Sequence, residues 1–369
     1  MSGTSLDGVD GVAVHFSGEP DASPVRVLAH AHVAFGAPLQ AELLALNRSS
    51  ADELHRAALA GNELARAYAG VVGRLLHETG LPRERVAAVG CHGQTVRHRP
   101  GEFDGTGYTV QLNAPALLAE LCGIDVVADF RSRDLAAGGQ GAPLVPAFHR
   151  AMFGRADTPV AVLNLGGMAN ITCLGPDGAA IGFDCGPGNA LLDLWCAAST
   201  GRTFDRDGDW GARGRVDARL LRSLLSEPFL SQLPPKSTGR DLFHREWLDA
   251  HLAGAGCAAR LSDQDVQATL AELTAQVCAT AFRSHGRGAE ELIVCGGGAF
   301  NGDLMARLGR LLAPVSVVAS SARGLAPDHV EAAAFAWLAW AFVRRSAGNI
   351  PEVTGAAGPR VLGALYPAS

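Results

Sequence analysis

VAVLNLGG (160–167), NITCLG (170–175) and AAIGFDCG (179–186), followed by PGNALLD (187–193), decide the fold. Three apolar runs stand one after another, joined by short Gly-containing turns. That spacing predicts three neighbouring strands in a meander. Gly186-Pro187-Gly188 then makes a sharp turn, and a helix is expected from about Asn189. Downstream, ELIVCGGG (291–298) reads as a strand and a glycine turn, then a helix and the strand VSVV (315–318).

The segments upstream alternate in the same way. GVAVHF (11–16) and VRVLAHAHVAF (25–35) read as neighbouring strands. From Glu53 to Glu78, apolar residues at Leu54, Ala58, Leu64, Ala65, Tyr68, Val72, Leu75 and Leu76 keep helical spacing. VAAVGC (86–91), YTVQL (108–112) and IDVVADF (124–130) are expected strands. Strands alternating with helices imply βαβ units and a largely parallel sheet. The two halves echo each other, which predicts two α/β domains, 1–155 and 156–369, with a boundary near residues 154–158. Residues 201–250 are polar and irregular and read as an insertion. Ser262-Asp263-Gln264-Asp265 resembles a capping box, leading a helix with Val266, Leu270, Leu273, Val277 and Ala281 on one face. AAAFAWLAWAFV (332–343) follows a Pro327–Asp328 helix start. It is too short to span a bilayer and reads as a buried helix.

Composition removes several functions. The 369 residues suffice for two domains. Hydrophobic residues at 48% and charged residues at 18% are a globular balance. With 31 Lys+Arg against 37 Asp+Glu, the net charge of −6 argues against a nucleic-acid binder. Lys236 is the one lysine, so no Walker-A loop exists, and the H-R-D and D-F-G strings of protein kinases are absent. The eight cysteines form no C-x-x-C pair, and no H-E-x-x-H occurs, so a transition-metal centre is not expected. No secretory signal is recognisable, which predicts reduced thiols and a cytoplasmic location without membrane attachment. The oligomeric state stays open, a homodimer among the options.

Three glycine turns could hold phosphate. SGTSLDG (2–8) would offer backbone N–H groups and the Thr4 and Ser5 hydroxyls as an anion nest, or be an ordinary hairpin turn. LGGMANIT (165–172) is the second. CGGGAFN (295–301) follows a strand and opens a helix, where N–H groups and dipole favour an anion or a ribose edge. Together they suggest a nucleotide gripped between two domains. Asp184 ends an apolar strand, where α/β proteins build sites, and reads either as a general base or as a turn-stabilising carboxylate. His92 and Gln94 follow a strand, as ligand contacts or as satisfied loop residues. Arg131 could fork onto a ligand carboxylate or pair with Asp129 or Asp134. Glu331, in the first turns of its helix, reads by position as a dipole-friendly surface residue.

The strings MSGTSLDGVD, CHGQTVRHRP, DFRSRDLAAGGQGAPLVPAFH, LNLGGMANIT, GFDCGPGNALLD, PPKSTGRDLF, CGGGAFN and APDHVEAAAFAWLA, in this order, resemble the anhydro-N-acetylmuramic acid kinase family from Met1 to about Leu338. That family sits in the sugar kinase, Hsp70 and actin superfamily, with a ribonuclease H-like fold of two α/β domains around a central ATP cleft. The resemblance implies that ATP, water and 1,6-anhydro-N-acetylmuramic acid give ADP and N-acetylmuramic acid 6-phosphate, with Mg²⁺ on the phosphates. It implies that Gly3, Thr4, Ser5, Leu6, Asp7, Gly8, Val9 and Asp10 hold ATP phosphates, that Gly166, Gly167 and Asn170 form a second phosphate loop, and that Gly297, Gly298 and Asn301 lie by the adenosine. Asp184 would be the base that deprotonates water, and Glu331 a second carboxylate facing the sugar. His92, Gln94 and Arg131 would be sugar contacts. Asp7, Asp10 and Asp184 are the candidate outer-sphere partners of Mg²⁺, and the sequence does not choose among them. Two departures stand out. The family's first strand begins ahead of the M-S-G-T string with which this sequence opens, so either the start site is misassigned or the strand is missing; if it is missing, residues 2–8 are expected to be loosely held. Cys185 stands where the family often has Thr.

Overall fold

A computed structural model describes residues 1–369 except 4, 5, 7, 19–24, 156, 177, 240, 241, 257–259, 287 and 369. Its strands are β1 (Gly8–Phe16), β2 (Val25–Ala34), β3 (Val89–Gly90), β4 (Gln94–Pro100), β5 (Gly107–Leu112), β6 (Val126–Ala128), β7 (Val160–Leu165), β8 (Met168–Leu174), β9 (Ala180–Pro187), β10 (Glu291–Cys295), β11 (Ser316–Ala319) and β12 (Ala364–Tyr366). The chain divides into two compact units. One is Met1–Met152 with His329–Ser369; the other is Phe153–Asp328.

This division corrects the expected second domain of 156–369, because the C-terminal segment belongs to the first unit. The Val330–Val343 helix packs on β1, β3 and β6, and its Trp340 stacks on Phe16 at 4.7 Å between centroids. A helix this apolar must be covered, and the first unit's strands cover it.

In the first unit β1 and β2 pair antiparallel, β4 pairs antiparallel with β5, and β6 sits between parallel β3 and antiparallel β12. The Glu53–Thr79 helix packs across β1 and β2. It buries Leu64, Ala65, Tyr68, Val71 and Leu75, whereas Leu54 in its first turn is 90% exposed.

The second unit is built on one sheet in the order β11-β10-β7-β8-β9. β7, β8 and β9 form the antiparallel meander that the apolar runs predict, and β10 and β11 extend it in parallel. The sheets are therefore mixed, not largely parallel. Parallel pairing needs a crossover of a dozen or more residues, and only some connections here are that long. The Asp263–His285 helix lies on β8 and β9. The expected capping box is present: Ser262 Oγ accepts from Asp265 N, and the Asp265 carboxylate accepts from Ser262 N. Residues 201–250 are more ordered than expected. Asp217 caps an Ala218–Leu225 helix that buries Leu220, Leu221 and Leu224, and an Arg245–Gly254 helix follows. The seven described cysteines carry free thiols. Among the described residues no helix is long and apolar enough to cross a membrane.

Candidate active site

Three polar side chains line up in one row of the second unit's sheet. Strand register places Asn164 of β7 opposite Asn170 of β8, and Asn170 opposite Asp184 of β9. Directly opposed residues share a sheet face with their Cβ atoms ~5 Å apart. All three are half-buried, while Val160, Ala161, Val162, Leu163 and Leu165 around Asn164 are buried. A bulge between Ala169 and Asn170 sits within the row. Bulges of this kind re-aim side chains beside functional sites.

Asp184 is held from the segment that carries the lone lysine. Its backbone N donates to the Lys236 carbonyl at 3.1 Å. Its Oδ2 accepts from Ser237 Oγ and from Thr238 N, each at 2.9 Å. Among the described residues, Oδ1 accepts no hydrogen bond. Burial pushes the Asp184 carboxyl above the usual carboxylate range, against the Thr238 and Ser237 bonds and the Lys236 charge that pull it down. The Lys236 ammonium donates to the carbonyls of Phe229 and Leu230 and lies over the Phe229 ring. The result is a carboxylate fixed through one oxygen and open at the other, which suits proton abstraction.

Two of the glycine turns meet beside this row. Gly188 N and Ala190 N donate to the Gly167 carbonyl, and Asn189 N donates to that of Gly166. Asn189 Nδ2 donates to the Leu165 carbonyl at 2.8 Å. A side chain at Gly188 would lie 2.4 Å from the Gly166 oxygen, so only glycine lets the β9 exit lie against the β7–β8 turn. The third segment joins them: a Cβ at Gly298 would meet Leu165 Cβ at 2.5 Å and Asn189 Oδ1 at 3.0 Å. Gly297 lies in the same short turn, Gly297–Phe300. Asn301 Oδ1 accepts from Leu304 N and so caps the Gly302–Leu312 helix.

The first unit gathers His92, Gln94, Arg131 and Glu331. His92 and Gln94 are buried. Gln94 Nε2 donates to the Gly3 carbonyl at 3.2 Å, and its buried Oε1 has no partner among the described residues. Arg131 donates from Nε and Nη2 to His92 Nε2 and from Nη1 to the Gly141 carbonyl, not to Asp129 or Asp134. Burial lowers Arg131 to about 10, opposed by the charges of Glu331 and Asp134. Asp134 is instead a buried hub accepting from Gly141 N, Asn349 Nδ2 and Thr354 Oγ1. Glu331 is exposed in the first turn of its helix.

β1 begins earlier than expected, at Gly8. Thr4, Ser5 and Asp7 lie outside the described residues. Gly8, Val9 and Asp10 already belong to β1, paired with Ala34, Val33 and His32. The Val9 side chain is fully buried, and Asp10 Oδ1 accepts from His30 and His32. Ser2 Oγ bonds Tyr68 at 2.7 Å.

Sequence reasoning missed Asn164, Ser237 and Thr238. An asparagine inside VAVLNLGG was the one available signal. Nothing local links residues 237 and 238 to Asp184.

Residues 1–368 match the family described as anhydro-N-acetylmuramic acid kinase. A relative of that name from Albidiferax ferrireducens is 57% identical over 388 residues, covering 100% of this chain and 98% of the relative. Another from Variovorax paradoxus is 60% identical over 373 residues, covering 100% and 98%. Among solved structures, an activator of 2-hydroxyisocaproyl-CoA dehydratase from Clostridium difficile is similar with TM-score 0.44 and 11% identity over 91% of this chain and 96% of that one.

Proposed function

The chain belongs to the anhydro-N-acetylmuramic acid kinase family, and on that premise we propose that this kinase opens the 1,6-anhydro ring of its sugar with water while phosphorylating O6 from ATP. Asp184 takes a proton from water as the water oxygen bonds to the anomeric carbon. The C1–O6 bond breaks. O6 then bonds to the γ-phosphorus as the bond to ADP breaks, giving N-acetylmuramic acid 6-phosphate. The site thus works like an inverting glycosidase whose leaving group is captured by phosphoryl instead of by a general acid.

One observation carries this reading. Asp184 is anchored through Oδ2 and open at Oδ1, and burial raises its proton affinity. A plain kinase base would need only to deprotonate a sugar hydroxyl. In this reading the glycine turns at 165–167 and 296–298 serve the nucleotide, and Gln94, Arg131 and Glu331 serve the sugar. The orphaned Gln94 Oε1 supports a ligand donor at that point. Of the described carboxylates expected near Mg²⁺, Asp184 has the spare oxygen, whereas Asp10 is engaged by two histidines. Asp184 would be the described carboxylate to hold Mg²⁺ through its water shell, and the ion would supply positive charge to the ATP phosphates. Where ATP is present, in the cytoplasm, the cycle would recover cell-wall sugar.

Product mass in H₂¹⁸O tests the proposal. The expected product gains phosphate and one heavy oxygen, which sits on C1. A product that gains phosphate alone, with the anhydro ring intact, would leave a kinase without the hydrolytic step.

A further inference from the structure

His92 follows β3 and is 5% exposed. Its ring lies against Phe335 at 4.4 Å between centroids. Nδ1 is 2.7 Å from the Gly93 carbonyl, which can only accept, so the ring proton sits on Nδ1. Nε2 is left with its lone pair, and Arg131 delivers both Nε–H and Nη2–H to it at 3.1 and 2.9 Å. Both ring nitrogens are therefore committed inside the protein. The expected direct sugar contact would have to displace one of them.

Arg131 is gripped from the other side as well. Nη1 donates to the Gly141 carbonyl at 2.7 Å, and Gly141 N is fixed by Asp134 Oδ2 at 2.7 Å. A guanidinium has five N–H groups. Three are used, so among the described residues two remain, one on each Nη. Glu331 stands one helical turn before Phe335, the residue His92 rests on, and its charge acts on Arg131.

We propose that His92 is a positioning residue, an Nδ1-protonated imidazole that serves as a fixed acceptor and aims the two remaining Arg131 N–H groups at an oxygen of the sugar beside Glu331. This rests on the kinase reading above. Arginine donates to substrate, and histidine never touches it.

Two variants of similar size separate this from packing. In His92→Gln the amide oxygen can reach the place of Nε2 and still accept from Arg131. In His92→Leu no acceptor exists. Losing an acceptor to a charged donor corresponds to roughly 10–100-fold. His92→Leu should lose about that factor in kcat/KM for the anhydro-sugar, with ATP affinity within about twofold, and His92→Gln should recover to within about fivefold of wild type. Equal losses in the two variants, or a leucine variant within about threefold of wild type, would overturn the proposal. ¹⁵N NMR of the wild-type imidazole gives a readout independent of turnover. A protonated Nδ1 with bare Nε2 at neutral pH is expected, and a proton on Nε2 would refute the assignment. If wild-type protein leaves the anhydro-sugar untouched, the kinase reading fails on its own, while the NMR result still decides the His92–Arg131 couple.

Discussion

Asp184→Asn isolates the chemistry from the architecture. Oδ2 of Asp184 accepts two hydrogen bonds, from Ser237 Oγ and Thr238 N. The single oxygen of an asparagine amide can accept both, so the segment 236–238 keeps its hold on β9. What disappears is a proton acceptor. General-base catalysis is worth about 10²–10⁴, which at ~1.36 kcal/mol per tenfold is about 2.7–5.4 kcal/mol of barrier. The variant should lose that much in kcat while ATP binds within about threefold of wild type by calorimetry. Stability should move in the opposite direction. Burial raises the Asp184 carboxyl in the folded protein. A raised carboxylate contributes stability at low pH and loses it as pH rises through the folded value. At neutral pH the ionised side chain therefore weighs against folding, and asparagine removes that burden. Tm of the variant should exceed that of wild type at pH 7, and the gap should close below about pH 4, where aspartate is neutral in both states. Asp184→Ala should differ, because Thr238 N–H loses its acceptor, at a cost of about 1–3 kcal/mol. Turnover by Asp184→Asn within about fivefold of wild type would remove Asp184 from the base role. A lower Tm at pH 7 would refute the account of its burial.

Glu331→Ala is expected to weaken sugar use through KM, kcat or both and to leave the ATP dissociation constant within a few-fold; a large loss of ATP affinity with normal sugar kinetics would place Glu331 with the nucleotide instead. Glu272 is buried and accepts from Gln276, from Arg307 at 2.8 Å and from Arg310 at 3.0 Å. Burial pushes its carboxyl up, but Gln276 and Arg307 outweigh this, and the net value lies below that of an ordinary glutamate. Its stabilisation is therefore present at neutral pH and lost as pH falls through the folded value. Glu272→Ala strands part of Arg307, which keeps Asp303, so about 3 kcal/mol, the low end for a broken buried pair, is expected from urea unfolding at pH 7. A loss under about 1 kcal/mol, or one that does not shrink at acid pH, would contradict that reasoning.

What the sequence alone determined is what short-range physics writes. The β7–β8–β9 meander follows from apolar runs separated by turns too short for a crossover. The Ser262 capping box closes within three residues. Gly188 marks a close backbone approach, because a Cβ there would lie 2.4 Å from the Gly166 oxygen. Asp184 was legible as the carboxylate of an apolar strand, although β9 runs on past it to Pro187. Tertiary structure decided the rest. Register alone lines Asn164 and Asn170 up with Asp184, since a one-residue slip would send each side chain to the other face. The Lys236–Thr238 clamp on Asp184 spans more than 50 residues, and no local pattern encodes such a pairing. The Val330–Val343 helix is apolar on every side, so its sequence says that it is buried and not by what. Only packing against β1, β3 and β6 puts Glu331 in the same unit as Arg131. His92 reads in sequence as either a ligand contact or a satisfied loop histidine, with no partner named. Its two ring nitrogens are spoken for only once Gly93 and Arg131 are in place, because a hydrogen bond depends on where the partner lies in space and not on its distance along the chain.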